Sequence, residues 1–305
     1  MKNSLALADF VPTGQKTSVA LGFFDGYHLG HQAILKATCD SPLRPVTLTF
    51  RNHPAGVVAS DRKPGLLTTA NERFEWLHQA GTEVVWVDFD RPFSQLTAQE
   101  FFEQILVARL GAGRLVSGGN YRFGHKAQGD VDLLRSLSQP LGIEVVTVPG
   151  VQDEGEWISS TRIRECVSQG RMQDAQRMLG RPFSIANRVV RGDQRGRLLQ
   201  FPTANLLLQV EKLVPAYGVY ACWVRRHGEG ERLPAVANLG VRPTVTTSNE
   251  ALLEVHLIDF DADLYGERLV VELVNHLRPE QRFAGLDELK AQIAKDRDRA
   301  RELLR

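Results

Sequence analysis

The chain has 305 residues, 43% of them hydrophobic and 24% charged, with a formal net charge of +1, enough length for two cores of ordinary size. So even a balance excludes the global electrostatic signature of a nucleic-acid or membrane-surface protein, and no apolar run approaches the roughly 20 residues needed to span a bilayer. Cys39, Cys166 and Cys222 lie far apart with no C-x-x-C spacing, and Asp9 and Pro12 interrupt the N-terminal apolar residues, so neither a disulfide framework, a zinc ribbon nor a signal peptide is expected and a cytoplasmic setting is.

The first half alternates. Strand-like runs at 19–23, 46–50, 84–89, 115–117 and 144–148 are separated by helix-like runs at 32–38, 71–79, 98–110 and 131–137. That alternation predicts a parallel sheet with crossover helices, an α/β domain. The run at 98–110 opens with the capping box Thr97-x-x-Glu100 and carries Phe101, Ile105, Ala108 and Leu110 near helical spacing. The run at 71–79 closes on Gly81 as a C-cap. Beyond Arg181 the texture changes to short β-rich runs at 184–190, 218–224, 235–238, 253–260 and 268–274 with turn residues between them. These predict an antiparallel barrel or sandwich. A charged helix over 286–304 follows, with Leu289, Ile293, Ala300 and Leu304 as its inner stripe. The boundary is placed at Gly180-Arg181-Pro182.

The stretch Gly22-Phe23-Phe24-Asp25-Gly26-Tyr27-His28-Leu29-Gly30-His31 follows the first of these strands and leads into a helix. A helix N-terminus offers unpaired N–H groups to an anion. His28 and His31, three apart, share a face of the first turn, and Gly26 and Gly30 leave room for a phosphate. Two imidazoles there suit nucleotidyl transfer, in which charge builds on phosphoryl oxygens. Other polar segments follow later strands: Thr49-Phe50-Arg51-Asn52-His53-Pro54, Gly118-Gly119-Asn120, and Ser159-Ser160-Thr161 with Arg162 and Arg164 behind them. Ser160 and Thr161 are candidate helix caps. Arginines in a first helical turn oppose the dipole unless an anion is near. Arg162 to Arg197 holds nine arginines, fitting either phosphate-rich substrates or a solvated face. Gly119 to Lys126 fails as a P-loop because Lys and Ser/Thr do not follow the second glycine directly.

In the second half Gly192-Asp193-Gln194-Arg195-Gly196 runs into Phe201-Pro202-Thr203-Ala204-Asn205. Thr203 and Asn205, two apart in an extended segment, point to one side. A hydroxyl and an amide oxygen suit a Mg²⁺ that shares nucleotide phosphates. Glu254 lies on an alternating strand and is either a base for an attacking hydroxyl or a solvent-face residue.

Taken together these segments resemble the bacterial bifunctional riboflavin kinase/FAD synthetase family, nearly end to end. The N-terminal half resembles its FMN adenylyltransferase module through the segment from Gly22 to His31, Thr49-Phe50-x-x-His53-Pro54, Asn120-Tyr121-Arg122-Phe123-Gly124 and Ile158-Ser159-Ser160-Thr161-x-Ile163-Arg164. The C-terminal half resembles its kinase through Phe201-Pro202-Thr203-Ala204-Asn205, Gly218-Val219-Tyr220, Ala237-Asn238-Leu239-Gly240-Val241-Arg242-Pro243-Thr244, Glu254-Val255-His256-Leu257 and Asp263-Leu264-Tyr265-Gly266.

The resemblance implies a Rossmann-like nucleotidyltransferase domain over 1–181, then an antiparallel β-barrel riboflavin kinase domain with a terminal helix over 182–305. The expected partners are ATP, riboflavin and FMN, with Mg²⁺ accompanying ATP. It also implies roles. His28 and His31 bind ATP phosphates and stabilise adenylyl transfer. Gly22, Phe24, Asp25, Gly26 and His53 contribute to the nucleotide site, and Asn120, Ser160, Thr161 and Arg164 hold substrate and phosphates. Gly192 binds nucleotide, Thr203 and Asn205 organise Mg-ATP, and Glu254 activates the ribityl hydroxyl. Three positions depart from the family pattern: Phe23 replaces a common Asn, Asn52 a frequent Pro, and Trp157 a basic residue that many members carry. The alternatives are a nucleotidyltransferase for another phosphorylated alcohol and a non-catalytic flavin- or nucleotide-binding regulator.

Overall fold

The computed structural model describes residues 4–58, 64–191, 201–226, 230–241 and 251–305. It separates into two compact units, one ending at Ser160 and the other beginning at Thr161.

The first unit is built on a six-stranded parallel sheet of β1 (Ser4–Ala6), β2 (Thr17–Leu21), β3 (Arg44–Phe50), β4 (Glu83–Val87), β5 (Ala112–Gly118) and β6 (Glu144–Val148), in the order β1-β4-β3-β2-β5-β6. Every residue of β2 is buried. Val19 and Leu21 pack into one layer with Phe101, Phe102, Leu106 and Leu110, and Ala20 packs into the other with Ile34, Leu35, Phe74 and Leu77. Burial on both faces explains the unbroken apolar run that marks this strand in the sequence. β1 adds an edge of only three residues, too short to register as a periodic pattern.

The crossover helices are α1 (Leu29–Cys39), the one-turn α2 (Ala55–Val58), α3 (Ala70–Gln79), the one-turn α4 (Arg91–Ser94), α5 (Ala98–Glu100) and α6 (Val131–Ser138). α3 begins at a complete capping box of Thr69 and Glu72 and is followed by Gly81 at φ +88°. The segment expected as one α-helix over 98–110 differs. After the Thr97–Glu100 capping box and a short α5, residues Phe101–Arg109 form a π-helix, ending with a bond from the Leu110 N–H to the Ile105 carbonyl at 2.9 Å. Five-residue bonding places Leu106 beneath Phe101, so the buried face is Phe101, Phe102, Leu106 and Leu110, and Ala108 is exposed.

A two-residue hairpin, β7 (Gln152–Asp153) and β8 (Glu156–Trp157), leads to α7 (Ser160–Ser168). In the second unit α7 is followed by α8 (Met172–Leu179) and by the strands β9 (Phe183–Arg188), β10 (Ala204–Leu207), β11 (Gly218–Arg226), β12 (Leu233–Val241), β13 (Ala251–Leu257) and β14 (Arg268–Arg278). These six strands form an antiparallel sheet ordered β10-β13-β12-β11-β14-β9. An antiparallel bridge between Val190 and Asn205, with the Val190 N–H on the Asn205 carbonyl at 2.9 Å, brings the outer strands together and nearly closes a barrel. Its interior is apolar, with Leu206, Tyr220, Cys222, Val224, Ala237, Leu239, Leu253, Val255, Val271 and Leu273 all fully buried.

The terminal α9 (Leu286–Leu303) packs its end, at Ala300, Leu303 and Leu304, on Val219, Ala221 and Val236. Its inner stripe contains one residue that helical spacing of apolar positions omits. Asp296 is buried and accepts from Arg278 Nε at 3.0 Å and Nη2 at 2.7 Å.

Candidate functional site

β2 lies between β3 and β5, so the sheet's topological switch point falls at its carboxyl end, where open α/β sheets bind ligands. The loop from Gly22 to His28 starts there. It turns sharply: Phe24, Gly26 and Tyr27 all have positive φ, at 57°, 83° and 42°. Two of the three are not glycine, and backbone strain of this kind gathers at functional sites. Phe24 points inward, 1% exposed, into the layer with Ile34 and Leu35, and its ring lies beneath Gly22.

Asp25 is also buried. Its carboxylate accepts the Leu67 N–H at 3.1 Å, the Thr68 N–H at 2.9 Å and the Thr68 hydroxyl at 3.0 Å. The Gly26 N–H donates to the Thr68 hydroxyl at 3.0 Å. The Ser160 hydroxyl donates to the Asp25 carbonyl at 2.9 Å. Asp25 thus ties the turn to the segment before α3, and Ser160 ties it to the start of α7. Because α7 begins at Ser160, that residue is the first of the helix, and the cap position falls on Ser159.

His28 is the N-cap of α1. Its Nδ1 accepts the His31 N–H at 3.4 Å, and the two imidazoles stack with centroids 3.6 Å apart. A ring accepting at Nδ1 carries its proton at Nε2 when neutral, so the cap selects the tautomer that donates from Nε2. Gly30 serves this geometry. A Cβ there would stand 3.1 Å from His28 Cε1, so the glycine makes room for the imidazole itself.

In the loop after the neighbouring strand β3, His53 accepts the Ala55 N–H at Nδ1 and meets the Phe23 ring edge-on at 4.8 Å. Asn120 follows β5, exposed, with its Oδ1 folded back over Gly118. Thr161 and Arg164 lie in the first turns of α7, exposed and half-buried respectively. Arg171 and Arg177 of the arginine-rich stretch both pair with Asp174.

The barrel carries a separate constellation. Thr203 and Asn205 line one cavity of about 370 Å³ with Val189, Pro202, Asp261, Asp263 and Tyr265. Directly opposite residues of antiparallel strands share a face, and Glu254 lies opposite Asn205. On β13, Leu253 and Val255 are buried inside while Glu254 and His256 are half-buried on the other face. His256 Nδ1 pairs with the Pro202 carbonyl at 3.0 Å. Gly192 and the segment 242–244 lie outside the described residues.

Asp261, which also lines the cavity, is in none of the segments quoted from the sequence, while Asp263 and Asn238 stand in them without an assigned role; Asn238 lies opposite Glu254 on β12. A polar residue between apolar neighbours on a strand was the available signal for Asn238. Among the described residues no group of three or more His, Cys, Asp or Glu could hold a metal ion, and no helix is long and apolar enough to cross a membrane.

The halves match two family models, FAD synthetase over residues 11–162 and riboflavin kinase over 179–304. The bifunctional riboflavin kinase/FMN adenylyltransferase of Escherichia coli (strain K12) is 41% identical over 289 residues, covering 93% of this chain and 91% of that protein. The chain belongs to the bifunctional riboflavin kinase/FMN adenylyltransferase family. The Haemophilus influenzae member is 37% identical over 292 residues, covering 94% of each chain. A solved Streptococcus pneumoniae structure titled a macrolide-efflux protein is 32% identical with a TM-score of 0.86, covering 98% of this chain and 99% of that one.

Within this family the three departures have physical accounts of differing strength. Phe23 lies over the guanidinium of Arg73, 4.4 Å from its centroid, and Arg73 is fully buried, donating to the Phe50 and Arg51 carbonyls. The ring therefore covers a buried cation. Asn52 pairs twice with Phe89, donating to its carbonyl at 2.8 Å and accepting its N–H at 2.9 Å. It holds two sheet-edge loops together, which a proline could not do. Trp157 is 61% exposed and its ring lies on Gly150; nothing in the structure gives it a phosphate-handling role.

Proposed function

We propose that the chain makes FAD from riboflavin in two ATP-dependent steps, with 1–181 as the adenylyltransferase and 182–305 as the kinase. The observation that carries this reading is that the two family matches fall on separate stretches, each holding one of the two sets of residues assigned below.

In the kinase step Glu254 takes the proton of the ribityl hydroxyl as its oxygen bonds the γ-phosphorus of ATP, and ADP leaves with the bridging oxygen. The oxygens of Thr203 and Asn205, beside Asp261 and Asp263 in one cavity, fit the hard-oxygen preference of Mg²⁺. When bound, that ion neutralises charge on the transferring phosphates. Thr203 and Asn205 would hold it with ATP.

In the second step a phosphate oxygen of FMN attacks the α-phosphorus of ATP and pyrophosphate leaves. His28 and His31 donate to the phosphate oxygens on which charge develops, from a preorganised stacked pair that needs no rearrangement. Asp25, Thr68 and Ser160 hold the turn that presents them. Asn120, Thr161 and Arg164 take the remaining phosphate and substrate contacts. Three cysteines kept as free thiols favour a cytoplasmic setting.

Purified protein with riboflavin, ATP and Mg²⁺ should yield both FMN and FAD on chromatography. His31→Ala should stop the sequence at FMN. Glu254→Ala should block FMN formation while supplied FMN is still adenylylated. Loss of both activities from either change in a folded protein would overturn the two-site reading.

A further inference from the structure

One side chain of the first unit costs more than its place in the core requires. Arg73 of α3 is fully buried, where an apolar residue would fill the space without taking a guanidinium out of water. That guanidinium lies at the carboxyl end of the sheet. Its Nη2 donates to the Phe50 carbonyl at 2.7 Å and to the Arg51 carbonyl at 3.1 Å, and Nη1 approaches the Thr68 carbonyl at 3.5 Å. The rings of Phe23 and Trp86 lie 4.4 and 5.5 Å from its Cζ.

Two of these contacts converge on His53. Phe50 ends β3, and Arg51 leads from it into the loop that carries His53. The Phe23 ring meets the His53 imidazole edge-on at 4.8 Å. Asn52 ties the same loop to Phe89, and His53 Nδ1 accepts the Ala55 N–H at 3.1 Å. The neutral ring therefore carries its proton at Nε2, and where that donor stands depends on the loop and on Phe23.

We propose that Arg73 is a positioning residue for adenylyl transfer. It grips the Phe50 and Arg51 carbonyls and holds the Phe23 ring by a cation–π contact, and so sets where the His53 imidazole stands against the nucleotide. This rests on His53 belonging to the nucleotide site. A guanidinium is a rigid planar fork that can serve two carbonyls and an aromatic ring at once, whereas a lysine ammonium keeps the charge but not the fork.

The test is the KM for ATP in adenylylation of supplied FMN, measured for Arg73→Lys, His53→Ala and the double variant. Loss of folded protein alone lowers the maximal rate and leaves KM where it was. Displacement of a positioned group should raise KM for ATP in Arg73→Lys, by about ten- to a hundredfold. KM for FMN and the rate of riboflavin phosphorylation should stay as in the parent. His53→Ala should also raise KM for ATP, and the double variant should be no worse than the more impaired single variant, because both changes remove the same contact. A parental KM for ATP in Arg73→Lys, or effects that multiply in the double variant, overturns the role of Arg73. If His53→Ala itself keeps the parental KM for ATP, the assignment of His53 to the nucleotide site is wrong and the proposal falls with it. Should Arg73→Lys fail to melt cooperatively, Phe23→Leu takes its place in the same cycle. It leaves an apolar cover on Arg73 but removes the ring between the guanidinium and His53, and it is held to the same outcomes.

Discussion

His28 caps the helix that carries His31, its Nδ1 receiving the His31 N–H while the two rings stack at 3.6 Å. In the proposed adenylyl transfer one side chain thus serves the fold and the chemistry at once, and the two can be separated. Asparagine is also a strong N-cap but has no donor where Nε2 of the imidazole stands. His28→Asn should therefore keep the melting temperature near the parent's while FMN adenylylation falls by roughly a hundred- to ten-thousand-fold. Riboflavin phosphorylation in the same preparation should be unchanged.

The Asp25 carboxylate accepts from the Leu67 N–H and from the N–H and hydroxyl of Thr68 while only 2% exposed. Asp25→Ala strands the Leu67 and Thr68 donors, at about 1–3 kcal/mol for a buried unsatisfied group. It also frees the turn that presents the histidines. Thermal melts should show the loss of stability, and steady-state assays should show FMN adenylylation falling far more than riboflavin phosphorylation.

Phe23→Asn restores the residue common in the family yet uncovers the fully buried Arg73. A desolvated cation–π contact is worth about 2 kcal/mol. Denaturant unfolding should show a loss of that order, with no gain in adenylylation. A variant as stable as the parent would mean that the ring does not cover the guanidinium.

The Arg278–Asp296 pair joins β14 to α9 with both side chains largely buried, at 18% and 7% exposure. Removing one partner of such a pair typically costs about 3–5 kcal/mol. Asp296→Ala should lower the melting temperature and riboflavin kinase activity together. Trp223 on β11, packed against the apolar cluster that Ala300 of α9 forms with Val219 and Val236, should report the loosening by fluorescence.

Glu267 is hydrogen-bonded by Arg226 through Nε at 2.8 Å and Nη2 at 2.9 Å, which holds its carboxyl below the ordinary 4.5. A carboxyl lowered on folding adds stability above its unfolded value and loses it as pH falls through its folded value. The difference in melting temperature between parent and Glu267→Gln should therefore be largest near neutral pH. It should close on acidification below the ordinary carboxyl range.

Much of this was legible locally. The β2 strand, the H-x-G-H helix start, the Thr97–Glu100 capping box and the β-rich second half all follow from short-range pattern, because side-chain period and capping chemistry act over a few residues. The motifs also sufficed, through resemblance, to identify a nucleotidyltransferase half and a fused kinase. What local pattern could not settle were relationships between residues far apart in the chain. In the π-helix at Phe101–Arg109, Phe101 and Leu106 both lie in the core cluster against the sheet. Asp296 sits in an apolar stripe only because Arg278 lies opposite it. Asp25 is held by Thr68, 43 residues away. Gly30 also leaves room for the His28 imidazole, a contact that spacing alone does not show. The placement of Glu254 between Asn205 and Asn238 depends on strand register, which side-chain packing across the sheet decides and no single strand encodes.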